Sequence, residues 1–226
     1  MPVTPAVFTL PVWFDLGAVF AIALTGALAG IGRGYDIVGV FFLALVSSIG
    51  GGLLRDGVLL PGSEPTPLLT DARYIGCVAV ATVAGVLFGS HLKRAGRVIA
   101  YIDAIGLGAY ATFGTQKALQ AGLAVPAAIL VGVVNAAGGS LLRDVIVREE
   151  PLVFRPGQFY VLTALAGAAS FVVFSRQMGV GITPAAVLAI ALTFVFRALA
   201  IVFNWRTTAV APASALPPPP SLPPPL

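Results

Sequence analysis

Charge is scarce in this sequence. Asp, Glu, Lys and Arg supply 10% of its 226 residues, against about 25% in a typical soluble domain. So little polar surface cannot keep a chain that is 58% hydrophobic in water, and a mean hydropathy of +0.98 places it in a membrane. The single cysteine, Cys77, excludes an intrachain disulfide. The single histidine, His91, and the lack of any His/Cys/carboxylate group at ligand spacing leave no metal site. There is no nucleophile–base pair and no phosphate loop, so the chain does not read as an enzyme, and no cofactor is expected. A net charge of +4 without basic–aromatic interleaving excludes nucleic acid as a partner. The first apolar segment lacks the positive stretch that opens a signal peptide and reads as a mature span.

What is present is apolar length. A helix needs roughly 20 apolar residues to cross the hydrocarbon core, and seven segments qualify: near Val12 to Gly32, Ile37 to Leu60, Tyr74 to His91, Val98 to Leu119, Leu123 to Val147, Phe159 to Phe174 and Thr183 to Phe203. The breaks between them carry turn chemistry, in "GRGYD", "PGSEPTP", "KRAGR", "QAG", "REEP" and "GVGITP". The last stretch, 206–226, is proline-rich and reads as disordered. Basic residues set the orientation: Arg33, Lys93, Arg94, Arg97, Arg148, Arg155 and Arg206 share one face, against Arg73, Lys117 and Arg176 on the other. The first face is then cytoplasmic, with the N-terminus outside and the C-terminus inside. Trp13 and Trp205 read as interface anchors at opposite faces.

The chain also repeats itself. Shifted by 88 positions, Asp15 to Asp56 aligns without a gap to Asp103 to Asp144, and "GGGLLRD" meets "GGSLLRD" with six of seven residues identical. Three spans separate the copies. Three is odd, so the second copy enters the membrane upside down: an inverted-topology repeat, with a seventh helix outside it. The expected units are 12–91, 98–175, a seventh helix over 182–205, and the tail. The fold class is thus an all-α membrane protein of three plus three plus one helices.

The repeated heptapeptide sits where neither glycine nor charge is welcome. A glycine costs about 1 kcal/mol in a helix relative to alanine, and a charge near the bilayer centre at least about 2.5–3.5 kcal/mol. The glycines are expected to kink or unwind the second and fifth helices, baring backbone where protein or water covers it. Close helix packing is the plainer alternative, of the kind that "GALAG" (Gly26, Gly30) and "GVLFG" (Gly85, Gly89) supply. Arg55 and Asp56 are sequence neighbours that do not share a helix face, so their partners are sought elsewhere. Asp15 shares a layer with Arg55 and Asp56, and Asp103 shares one with Arg143 and Asp144. Two polar clusters follow, with four carboxylates against two guanidiniums, an excess that favours cations. The expected ion path holds Gly50, Gly51, Gly52, Gly138, Gly139, Ser140, Ser47, Ser48, Asn135, Asp15, Asp56, Asp103 and Asp144. Arg55 and Arg143 read as structural ion pairs. Lys117 reads as a snorkelling residue or a gating charge, and Arg197 as a snorkelling or anchoring one.

"IDAIGLGAYATFGTQKAL" followed by the "GGSLLRD" helix, with the earlier "GGGLLRD", resembles the prokaryotic branch of the trimeric intracellular cation channel family, whose members have also been labelled an uncharacterised or "glycine transporter" domain. The resemblance covers about Phe14 to Phe203. It implies a homotrimer in a prokaryotic inner or plasma membrane, with one pore per protomer lined by helices 1, 2, 4 and 5. Monovalent cations, chiefly potassium, would pass, and bound lipid is allowed for. Lys117 matches the lysine of the family's "GTQKAL" pattern, but Ala118 and Leu119 depart from the Lys-Glu-Val motif of animal members. The alternative is a secondary transporter of a small zwitterion such as glycine, since broken helices at an inverted-repeat interface serve both.

Overall fold

A computed structural model describes residues 11–62, 66–94, 96–154 and 159–205. The expected disordered tail, together with Arg155 and Arg206 of the basic count, lies outside the described residues, as do the side chains of Lys93, Arg94 and Arg97.

The described chain is helical, with no strand among the described residues. Helix α1 (Val12–Gly32) ends at a turn in which Gly34 takes φ +73° and the Tyr35 N–H bonds back to the Gly30 carbonyl. The Asp36 carboxylate then accepts the Gly39 N–H at 2.8 Å and starts α2 (Ile37–Leu53), satisfying an orphan donor of the first turn. A short α3 (Pro67–Thr70) precedes α4 (Ala72–Arg94). Then come α5 (Gly96–Gln120), α6 (Val125–Ile146), α7 (Tyr160–Val172) and α8 (Ile182–Val202). Single π-helical turns extend α2 over Leu54–Leu59 and α7 over Val173–Gln177.

Five of these helices are long and apolar enough to cross a membrane: α1, α2 with its π turn, α4, α6 and α8. Helix α5 is 25 residues long and polar over its last turns, with Thr112, Thr115, Gln116, Lys117 and Gln120. It can be, because it packs against α1, α6, α7 and α8 and buries Thr112, Thr115 and Gln116 away from lipid. The outward apolar side chains, among them Phe42, Val83, Leu87, Leu130 and Val187, are half or more exposed, as a lipid-facing surface requires. The chain is a multi-pass membrane protein.

The duplication is visible in the packing. Helices α1, α2 and α4 touch one another pairwise, α5, α6 and α7 do the same, α2 meets α6, α1 meets α5, and α8 adds to α5 and α7. Each triad has its own core, and the cores correspond at the 88-residue shift: Val19 and Ala23 in one, Leu107 and Ala111 in the other, flanked by Phe41 and Leu45 against Ile129 and Val133.

The glycine runs show what joins the halves. A Cβ on Gly51 would overlap the Asn135 carbonyl oxygen, and one on Gly139 would overlap the Ser47 carbonyl oxygen; Asn135 and Ser47 are themselves 88 positions apart. A Cβ on Gly50 would stand 2.8 Å from Leu142 Cδ1, and one on Gly138 2.9 Å from Leu54 Cδ1, again an equivalent pair. The α2–α6 contact is thus two-fold symmetric down to single atoms. Both helices stay helical through their glycines, so the expected unwinding of backbone does not occur there. The glycines bring two backbones together, and the loosening lies one step on, in the π turn of α2, with no counterpart in α6. The plain packing motifs act as read: Gly30 seats on Val40 of α2, and Gly85 and Gly89 seat on Ala27 and Leu28 of α1.

Candidate ion pathway

Where α1, α2, α5 and α6 meet, a cavity of about 380 Å³ opens between the two triads. Its α1 wall runs from Val12 to Thr25, about 20 Å at 1.5 Å per residue, or some two-thirds of a hydrocarbon core about 30 Å thick. Asp15, Ser47, Ser48, Gly51, Gly52, Asp103, Asn135, Gly139 and Ser140 line it, as do both guanidinium residues, Arg55 and Arg143. Gly50 and Gly138 lie between the helices, and Asp56, Asp144 and Lys117 stand behind the arginines, outside the lining.

The arginines hold their own neighbours. Arg55 donates to both carboxylate oxygens of Asp56, Nε to Oδ1 at 2.6 Å and Nη2 to Oδ2 at 2.5 Å. Arg143 donates Nε and Nη2 to Asp144 Oδ1 at 2.9 and 2.8 Å. This corrects the expectation that adjacent residues find partners elsewhere. The same clamp forms on the π turn and in regular α6, so local geometry is not the cause. The i,i+1 rule describes where Cβ atoms point, and a long arginine side chain reaches sideways past it. The free arms keep the symmetry: Arg55 stacks over the Phe113 ring at 5.0 Å, while Arg143 Nη1 donates to Thr25 Oγ1 at 3.2 Å, and residues 25 and 113 are 88 positions apart. Asn135 accepts from Arg55 Nη1 at 3.1 Å and donates to the Tyr110 carbonyl at 2.7 Å, so its amide positions Arg55 while lining the cavity.

Two further cations change the expected charge count. Lys117 turns inward and donates to Asp56 Oδ1 at 2.9 Å, with its side chain 20% exposed; it does not snorkel. Arg197 of α8 is 7% exposed and lies over the ring of Tyr160 at 5.0 Å, and Tyr160 lines the cavity together with Asp103. It anchors a neighbour and does not snorkel either. The expected excess of two negative charges is therefore cancelled, because the count from the repeat missed cations that lack a counterpart in the other copy. Four carboxylates stand against four cations in number; Asp56 and Asp144 are ion-paired, and Asp15 and Asp103 form no ion pair among the described residues.

Sequence reasoning missed the tyrosines. Asp15 receives the Tyr74 hydroxyl at 2.5 Å and the Tyr110 hydroxyl at 2.8 Å. Tyr74 and Tyr160 each sit near the start of the third helix of their repeat. A loop gap puts them 86 positions apart and drops them out of the ungapped alignment; extending the comparison past the loop would have found them. Asp71 also lines the Asp15 end. It lies outside the spans, and hydrogen bonds from the Arg73 side chain hold its carboxyl below the usual carboxylate range.

The cavity hydroxyls share one polarity. Ser47 donates to the Leu43 carbonyl at 2.6 Å, Ser48 to Ala44 at 3.0 Å, Thr25 to Ile22 at 2.7 Å and Ser140 to Ala137 at 2.8 Å. With the protons turned back into their own helices, the oxygens face the cavity as acceptors. Such a wall suits cations.

Comparison with known proteins agrees. The family model described as "Glycine transporter" matches residues 12–90 and again 100–176, two matches whose starts are 88 positions apart. A UPF0126 membrane protein of Deinococcus radiodurans is 34% identical over 175 residues, covering 74% of this chain and 80% of that relative. The UPF0126 inner membrane protein YadS of Escherichia coli is 26% identical over 190 residues, covering 84% and 90%. A solved TRIC cation channel, described with its basis for conductance, superposes with a TM-score of 0.83 at 28% identity over 92% of this chain and all of that one. The trimeric intracellular cation channel orthologue from Rhodobacter sphaeroides superposes at 0.76 with 31% identity, over 86% and 98%. The chain belongs to this family, the prokaryotic branch of the trimeric intracellular cation channels, whose sequence model carries the description "Glycine transporter".

Proposed function

We propose that this protein is a monovalent cation channel, with potassium the chief permeant ion, and that it works as a homotrimer with one pore per protomer. The cavity between the triads is the pore. One observation carries the reading: a path of about 20 Å in which Ser47, Ser48, Thr25 and Ser140 turn oxygen lone pairs inward one after another, with a carboxylate at each end. Repeated weak oxygen sites let an ion enter and leave again. The solved relatives named as cation channels support the assignment, and the orthologue named as trimeric supports the assembly.

Transport of a zwitterion would need a half-helix N-terminus or a free cationic group for the solute carboxylate, and α2 and α6 stay helical through their glycines. The two guanidiniums in the cavity wall are already clamped to Asp56 and Asp144, which leaves that reading to the family description alone. The excess of basic residues on one face supports an N-terminus outside a prokaryotic plasma membrane and a C-terminus in the cytoplasm; in that orientation the Asp15 end of the pore faces out and the Asp103 end faces in. Lipid covers the exposed apolar faces, and Lys117 is a gating candidate through Asp56.

The test is the purified protein in a planar bilayer under a potassium chloride gradient. Unitary currents that reverse near the potassium equilibrium potential are expected. Saturable glycine uptake into liposomes with no unitary currents would replace this assignment with the transporter.

A further inference from the structure

The two ends of the cavity are finished differently. At the Asp15 end, the connection from α2 to α4 turns in over the opening, and its Thr66, Thr70 and Asp71 form part of the cavity wall. At the Asp103 end, the equivalent connection from α6 to α7 gives the wall no residue among those described. The lining there comes from the helices themselves, with Asp103, Arg143 and Tyr160.

One change between the copies falls where this connection lands. Gly52 stands where the second copy has Ser140. A Cβ on Gly52 would lie 3.5 Å from both Cβ and Cγ2 of Thr66, so the bare backbone of α2 receives the Thr66 side chain in van der Waals contact. Thr66 is 5% exposed there. The chain then makes the single turn of α3, in which the Leu69 N–H bonds to the Thr66 carbonyl at 2.9 Å. Asp71 is fastened at the start of α4: its carboxylate accepts the Arg73 backbone N–H at 2.9 Å and the Arg73 guanidinium at 2.6 Å. Leu69, between the two attachments, is 64% exposed. The segment 66–71 is thus a strap one layer thick, with the cavity beneath it and open surface above. Charge-assisted hydrogen bonds hold its Asp71 end, and contact on a glycine holds its Thr66 end. An element with so little buried apolar contact opens at low cost, as gating elements must.

We infer that this strap is the gate at the Asp15 end of the path: Thr66 resting on Gly52 covers the opening, and ions pass when Thr66 leaves Gly52 and the strap swings about Asp71. The duplicated frame supplies the path, and the unequal connections supply a gate at one end of it. This inference rests on the channel reading.

A disulfide tests it. The 3.5 Å separation between a Cβ on Gly52 and the Thr66 Cβ falls at the short end of the disulfide range, about 3.5–4.5 Å. The full-length protein carries Gly52→Cys and Thr66→Cys together in a Cys77→Ser background, and planar bilayers under a potassium chloride gradient read the current before and after oxidation. The reduced double variant should show unitary currents. Oxidation should join the two thiols, as mass spectrometry after thiol blocking reports, and abolish the currents, and a reducing agent should restore them. Neither single cysteine variant should respond to the oxidant. A second variant needs no oxidant: Thr66→Gly removes the resting contact and should raise the open probability. Thiols that fail to join, full current through the cross-linked protein, or an unchanged open probability in Thr66→Gly would each overturn the gate and leave the channel standing. Absence of unitary currents from wild type would overturn the channel reading itself.

Discussion

The Arg55–Asp56 clamp and the Arg143–Asp144 clamp are copies of one device in different surroundings. Both pair an arginine with the next residue, and both point a free guanidinium arm at equivalent positions of the facing triad. The first is 4% and 6% exposed at its two side chains and takes a third member, Lys117; the second is 16% and 7% exposed and has Asp144 capped by the Leu152 backbone N–H at 3.3 Å. Duplication thus preserved the frame, while single cations without a counterpart in the other copy, Lys117 opposite Ala29 and Arg197 in α8, set the two ends apart. In such a protein, symmetry explains the shape of the path, and the departures from symmetry set its two ends apart.

The comparison can be broken by removing each acid in turn. Asp56→Ala strands two cations in a nearly dry site and should cost about 3–5 kcal/mol. Asp144→Ala strands one in a wetter site and should cost visibly less. Thermal unfolding in detergent reads both, and equal losses would mean that Lys117 adds nothing. The glycine contact makes the opposite demand. Gly51→Ala and Gly139→Ala each drive a methyl into a backbone carbonyl across the pseudo-two-fold axis, at about 1–3 kcal/mol, and the two losses should match. A silent member of the pair would refute the symmetry of the α2–α6 contact.

Smaller effects sharpen the picture. Lys117→Met leaves Asp56 its bidentate arginine and should cost about 1 kcal/mol, the value of a charged hydrogen bond reduced by its partial exposure. Arg33 bonds to the Val147 carbonyl and to Glu149, tying the α1–α2 turn to the end of α6. Its ion pair is 36% and 47% exposed, so Arg33→Ala should cost no more than about 1 kcal/mol and less still at high salt.

Much of this was legible in the residues. Hydropathy marks the spans, the 88-residue shift yields the inverted repeat, and the same shift names Gly50, Gly51, Gly138 and Gly139, the residues at which the halves touch. The role of those glycines was harder to read, because helix breaking and close approach ask for the same residue; only the position of the facing carbonyl separates them. Arg55 and Arg143 do form the ion pairs read from the sequence, but their partners were misplaced for another reason. Arginine and lysine side chains span several ångströms, so a layer of the membrane narrows their partners without choosing one. Lys117 and Arg197 lack counterparts in the other copy, so an argument from repetition undercounts them. Tyr74 and Tyr160 lie beyond a loop of changed length, where an ungapped comparison stops.

The central claim is that the cavity between the triads carries the current, and thiol accessibility tests it directly. In a Cys77→Ser background, Ser48→Cys places a thiol in the cavity wall, and Val83→Cys places one on the exposed apolar surface of α4. A positively charged thiol reagent should block unitary potassium currents in the first and leave the second unchanged. Full current through modified Ser48→Cys would contradict the account.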